Sequence, residues 1–150
     1  MCSYALFWRW EWCTIIRPIL ENELLLRKPS DIATPHDLPV AKDLLDTFRA
    51  HADECVGMAA NMIGVFKRII IFDDGGVATI MLNPEIISTF GEYETSEGCL
   101  SLKGKRPAVR YRRIRVRFQD LKMTEHSKSY TGFTAQVIQH EIDHCDGIVI

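Results

Sequence analysis

Residues 140–144 read His-Glu-Ile-Asp-His. On a helix, positions i and i+4 share one face a turn apart. Two imidazoles placed in this way can bind one metal ion from the same side. Glu141 follows the first of them. There it can take a proton from a water that the metal has acidified, and later return it. The residue types answer one chemical need: neutral nitrogen ligands near pH 7 and a carboxylate that handles the proton. The competing reading is two surface histidines on a solvated helix face. Phe133, Val137 and Ile138 on the approach favour a buried helix instead.

A centre of this kind keeps three protein ligands. The third can be a Cys, a His or a carboxylate. The chain holds five Cys and five His. An odd number of thiols cannot all pair within one chain. Cys2, Cys13, Cys55, Cys99 and Cys145 also show no disulfide-framework spacing, which suits a reducing compartment. Cys99, in Glu97-Gly98-Cys99-Leu100-Ser101, offers a thiolate suited to zinc or ferrous iron. Taken alone, a single Cys reads more often as a small buried hydrophobe. Cys145 is rotated by about 100° around a helix from His144 and is assigned to packing. His36, His51 and His126 have no ligand spacing with the motif.

These residues need elements to hold them. Val40, Leu44, Leu45 and Phe48 recur at helical spacing and predict a helix over about Leu38–Ala52. Ile19–Arg27 is short and amphipathic. Phe66–Phe72 reads as a strand, Asp73-Asp74-Gly75-Gly76 as a turn, and Val77–Leu82 as a second strand that Asn83-Pro84 ends. Glu85–Glu94 is a further strand, and Glu97–Ser101 is irregular. Along Val109–Phe118, Ile114, Val116 and Phe118 fall on one face while Arg113, Arg115 and Arg117 fall on the other. Ser127–Thr131 reads as a short strand or turn. The motif-bearing helix is expected from about Thr134 through His144, with Gly147 as its stop. Strands in runs with an early and a late helix give an α+β class.

At 150 residues and 17.2 kDa the chain has the size of one domain, and 47% hydrophobic with 25% charged residues is ordinary for a soluble globular protein. The formal net charge of −2 excludes a generally polycationic or polyanionic chain. One local exception is Lys103–Arg117, with eight Lys/Arg and no acid. It reads as a solvated face of a strand plus a loop, or as a contact for ribosomal RNA or another anion. Met1–Cys13 is aromatic, holds all three Trp, and is too short and too charged for a membrane span. It also lacks the basic, apolar and small-residue regions of a signal peptide. It is set apart as an N-terminal extension of unknown role, with 14–150 as the catalytic domain.

Three blocks in order, Val56–Gly64 (VGMAANMIG), Glu97–Ser101 (EGCLS) and Gln139–Gly147 (QHEIDHCDG), resemble the peptide deformylase family. The resemblance covers roughly Ile15–Ile150. It implies a small α+β deformylase domain with antiparallel sheets around the metal-bearing helix. It further implies that Cys99, His140 and His144 hold one divalent ion, ferrous in the cell, with zinc, nickel or cobalt able to substitute. Glu141 would be general base and acid, and the Leu100 N–H would help hold the oxyanion. Val56, Gly57, Glu97, Gly98, Phe133 and Val137 would meet the substrate, the last of these and Phe133 lining a methionine pocket. Arg106 would pair with Glu97 to brace the site. The implied reaction removes the N-formyl group from N-formylmethionine of nascent polypeptides in the cytoplasm. Transient ribosome contact, no membrane, no stable nucleic-acid partner and no C-terminal docking extension are expected.

The chain departs from the family's first block, Gly-x-Gly-Leu-Ala-Ala-x-Gln-x-Gly. Cys55 replaces the first Gly, Met58 the Leu and Met62 the Gln. That Gln donates a hydrogen bond to the developing oxyanion, and Met has no such donor. A weakly active or inactive paralogue that binds metal and peptide is therefore a second reading, with neighbouring Asn61 a possible substitute donor. An RNA- or ribosome-binding module through Lys103–Arg117 is a third.

Overall fold

The computed structural model describes residues 14–150. The expectation for Met1–Cys13 lies outside the described residues.

The sheet is a meander of five strands in the order β1-β2-β3-β4-β5, each antiparallel to the next. The strands are β1 (Gly57–Ala59), β2 (Ile69–Asp74), β3 (Val77–Cys99), β4 (Leu102–Gln119) and β5 (Glu125–Thr131). Among the described residues three α-helices accompany them: α1 (Glu23–Leu26), α2 (Leu38–Ala50) and α3 (Gly132–Cys145). The α+β class with an antiparallel sheet around the motif-bearing helix holds.

Alternation along β2 explains the layering. Ile70 and Phe72 face one way and join Met81, Ile114, Val116 and Tyr130 beneath the Val137, Ile138 and Ile142 side chains of α3. Ile69 and Ile71 face the other way and join Met58 and Leu82 against Ala41, Leu44 and Phe48 of α2. A strand covered on both faces reads as a continuous apolar run, as Ile69-Ile70-Ile71-Phe72 does. The α2 boundary differs from the expected one by two residues at its C-terminal end, and only Glu23–Leu26 of the expected amphipathic stretch is helical.

Two expectations need correction. Asn83-Pro84 does not end a strand; β3 runs through it to Cys99. Register shifts between Leu82 and Glu85, and again between Ile86 and Ser88, absorb the proline as bulges outside the regular ladder. Asn83 tolerates the φ of 52° that the bulge requires, and its amide ties Ala33 N–H, Ala33 C=O and Gln119 to it. The Glu97–Ser101 block is likewise less irregular than expected, because Glu97–Cys99 complete β3 and only Leu100-Ser101 turn. The long β3–β4 hairpin thus carries Cys99 to the edge of α3.

Candidate functional site

Helix α3 starts after Thr131, spans both histidines and ends before Gly147, whose φ of 74° closes it. His140, Glu141 and His144 are buried. The turn of β3 into β4 brings in Cys99, and its Sγ lies 3.3 Å from His144 Nε2. One ligand atom each from Cys99, His140 and His144 falls within 4.8 Å of the others. A thiolate and two imidazoles converging in this way suit a tetrahedral ion with one position left over.

A buried network fixes the first imidazole. His140 Nδ1 lies 3.0 Å from Glu97 Oε1. Arg110 donates to both Glu97 oxygens, from Nε at 2.9 Å and Nη2 at 2.7 Å, and its Nη1 donates to Asp143 at 2.7 Å. Gln136 Nε2 donates to Glu97 Oε2 at 2.9 Å. The bracing arginine is therefore Arg110, and the expected Glu97–Arg106 pair is not formed. Arg106 faces Glu97 in the strand register, but its guanidinium reaches Glu23 of α1, at 3.3 and 3.2 Å. Arg106 and Arg110 both follow Cys99 at short range, and spacing alone does not separate them. Burial does, since Arg110 is 4% exposed and is the one whose planar fork meets a buried carboxylate.

Electrostatics follow the burial. Burial alone would raise Glu97, but its bonds from His140, Arg110 and Gln136 outweigh that and hold it down to about 2. Burial opposes charge on His140, yet Cys99 and Glu97 lift its pKa. His144 is pushed down, by burial first and by His140 second. Burial raises Glu141 to about 7, partly offset by His140. A carboxyl poised near neutrality suits proton transfer in both directions. Its Oε2 is buried and has no hydrogen-bond partner among the described residues.

A cavity of about 990 Å³ opens beside these residues. Cys55, Val56, Gly57, Met62, Glu97, Gly98, Cys99, Leu100, Phe133, Val137, His140 and Glu141 border it. His144 sits deeper, at 1% exposure. Val137 is buried in the wall, and Phe133 is 65% exposed at the mouth. Gly57 has no room for a side chain, because a Cβ there would stand 2.7 Å from Val137 Cγ1 and 2.9 Å from Glu141 Oε1. Glu97 borders the cavity, but its carboxylate is occupied by His140, Arg110 and Gln136.

The first-block departures also have defined places. Met62 is 1% exposed and its sulfur accepts from the Ala59 N–H at 3.4 Å. Asn61 does not stand in for the missing donor. Its Nδ2 donates to the His144 carbonyl at 3.1 Å, so it fastens the C-terminal end of α3 beneath the second imidazole. Cys55 is half-buried with its thiol on the His51 carbonyl at 3.4 Å, and burial pushes that thiol up to about 11, an inert state. Cys145 is buried in the core, as packing required.

Sequence reasoning missed the roles of Arg110, Gln136 and Asp143, and it weighed Asn61 as an oxyanion donor rather than as an anchor for the end of α3. Gln136 carried a signal, since it lies one turn before His140 on the same helix face. Asp143 stands inside the motif itself, about one turn after His140, and its role was passed over, whereas Arg110 comes from a separate strand and carried none.

The polypeptide deformylase family model matches residues 17–150. A peptide deformylase of Clostridium beijerinckii is 47% identical over 136 residues, covering 91% of this chain and 100% of the relative. One from Lachnoclostridium phytofermentans is 39% identical over 135 residues, covering 85% of this chain and 82% of the relative. Among solved structures, a peptide deformylase from Legionella pneumophila superposes with a TM-score of 0.80 at 34% identity, covering 89% of this chain and 83% of that one. The Met-Ala-Ser-bound class I type b enzyme of Acinetobacter baumannii gives a TM-score of 0.81 at 25% identity, covering 90% and 97%. With a match over nearly all its described length, this chain belongs to the polypeptide deformylase family.

Proposed function

We propose that this chain removes the N-formyl group from N-formylmethionine at the start of new polypeptides. The observation that carries the reading is the convergence of Cys99, His140 and His144 beside a buried, unpartnered Glu141 on the cavity wall. The donor set fits a divalent ion: one soft thiolate and two imidazoles, one of them braced by a carboxylate. Such an ion would supply Lewis acidity and an activated water to the site. Ferrous iron is the proposed physiological ion, with zinc, nickel or cobalt as substitutes.

The chain's own residues do the rest. Val137 and Phe133 give the cavity an apolar wall that suits a methionine side chain. Gly57 leaves the main chain bare, so a substrate backbone can approach it closely. Val56 and Gly98 border the same cavity and are proposed substrate contacts. Glu141 takes the proton of the attacking water and passes it to the leaving amine. The Leu100 N–H is the proposed oxyanion donor. Its neighbour Met62 adds none. Among the described residues no helix is long and apolar enough to cross a membrane. A cytoplasmic place of action, with passing contact to the ribosome, fits a nascent-chain substrate.

Formate release from formyl-Met-Ala-Ser by the ferrous or nickel form tests this reading. Turnover well above that of Glu141→Ala is expected. Rates no better than that variant would instead favour a metal-binding paralogue. Met62→Gln should raise kcat, up to the roughly 10²–10³ that one oxyanion donor is worth. An unchanged kcat would show that the site works without a side-chain donor.

A further inference from the structure

The basic strip Lys103–Arg117 does not act as one patch. Arg110 is inside the site, and Arg106 is held by Glu23. Arg112 lies over the Tyr93 ring, 5.0 Å from its centroid. Arg117 stands between Glu85 at 2.7 Å and Glu125 at 3.4 Å. Lys103 and Lys105 border the cavity. What remains is Arg113 and Arg115. Among the described residues neither has an ion-pair partner, and Arg115 makes one long bond, to Ser129 at 3.3 Å.

These two arginines lie on the sheet face turned away from α3. Helix α2 covers that face over β1, β2 and the start of β3, where Leu82 joins its cluster, and leaves the later part of β3 with β4 and β5 largely uncovered. Two cross-strand rows are left open there: Phe90–Arg113–Thr131 and Ser88–Arg115–Ser129. Phe90 is 74% exposed, although it is a large aromatic at the centre of a regular ladder. A shallow hollow of about 420 Å³ joins Ser88, Phe90, Arg113, Arg115 and Ser129. The nearest acids on this face, Glu85 and Glu125, are taken by Arg117, while Glu92 lies across from Tyr111 one row beyond Phe90.

We propose that this open face of β3–β5 is a binding surface for single-stranded RNA, with Phe90 as the stacking platform and Arg113 and Arg115 on the phosphates. Side chains two apart on a strand repeat at about 6.6–6.8 Å, so both guanidinium groups can reach one extended strand. An exposed ring beside unpaired arginines on a sheet is the arrangement that holds unstacked bases. The Ser88 and Ser129 hydroxyls add donors and acceptors for ribose and phosphate. An acidic peptide would use the arginines but leave the ring without a partner. A membrane surface would require a wider apolar face than one phenyl ring.

The test is fluorescence anisotropy of a labelled twelve-nucleotide oligouridylate against the full chain at low salt. Saturable binding is expected. Arg113→Glu with Arg115→Glu should weaken it at least tenfold and flatten the log–log salt slope by about 1.4, for two phosphates of a single strand. Phe90→Ala should weaken it about 5- to 150-fold with the slope kept. These variants lie outside the metal site, so unchanged deformylation and metal content certify their fold. No saturable binding, binding indifferent to the arginine pair, or equal displacement by polyglutamate or anionic vesicles would overturn the proposal.

Discussion

Glu141→Ala should keep the metal and lose the reaction. A positioned acid–base group contributes about 10²–10⁴-fold to rate, and a drop of that size is expected in formate release. Metal content should stay stoichiometric, because the Cys99, His140 and His144 donor atoms come together without Glu141. The thermal midpoint should not fall. Glu141 Oε2 is buried with no hydrogen-bond partner, so removing the carboxyl breaks no bond at that atom and relieves a desolvated group. Activity and stability thus separate, which a structural role for Glu141 would not produce. Cys99→Ser and His144→Ala should behave oppositely, with metal lost and activity lost together. Stoichiometric metal in both ligand variants would show that the ligand set is wrong. Metal loss in Glu141→Ala would move that carboxylate into the set.

The same contrast shows how far the sequence could be read. His140, Glu141 and His144 were legible because one local element, a helix, puts them on one face by its own period. Cys99 was legible only through the resemblance of EGCLS to a family block. Nothing local says that a hairpin more than forty residues upstream returns to that helix. β2 was legible as a β-branched apolar run, and the inward side of β4 because its apolar residues follow the strand period. The break at Asn83-Pro84 was misread for a physical reason. A proline forbids one ladder bond, but a bulge on an asparagine with φ of 52° removes the need for it. The brace was misassigned because an arginine's partner depends on tertiary approach. Glu23 lies 83 residues from Arg106 in sequence and still captures it. Asn61 is a similar case. Its neighbour in the first block suggested an oxyanion role, but packing turned its amide to the carbonyl of His144.

Arg110→Met should cost far more than Arg106→Met, and the difference isolates the brace. Arg110 is 4% exposed and makes three charge-assisted bonds, two to Glu97 and one to Asp143. Removing it leaves two carboxylates short of their counter-charge in a buried setting. Breaking a buried pair from one side typically costs about 3–5 kcal/mol. The Arg106–Glu23 side chains are 34% and 40% exposed, and solvent screening leaves such an exposed pair a small contribution to stability. Urea unfolding of the two variants measures both. Metal affinity should follow the same order. Glu97 orients His140, and loss of such an outer contact lowers affinity about 10–100-fold. Arg106→Met should leave affinity unchanged. The pH dependence has a definite sign. Glu97 titrates at about 2 in the folded chain, and near about 4.3 when unfolded. Its contribution is therefore complete above the unfolded value and is lost as pH falls toward 2. Without Arg110 the folded value rises, so the acid-induced loss of stability in Arg110→Met should be smaller, starting from a lower plateau. Equal acid sensitivity in wild type and Arg110→Met would place the guanidinium outside the network that holds His140.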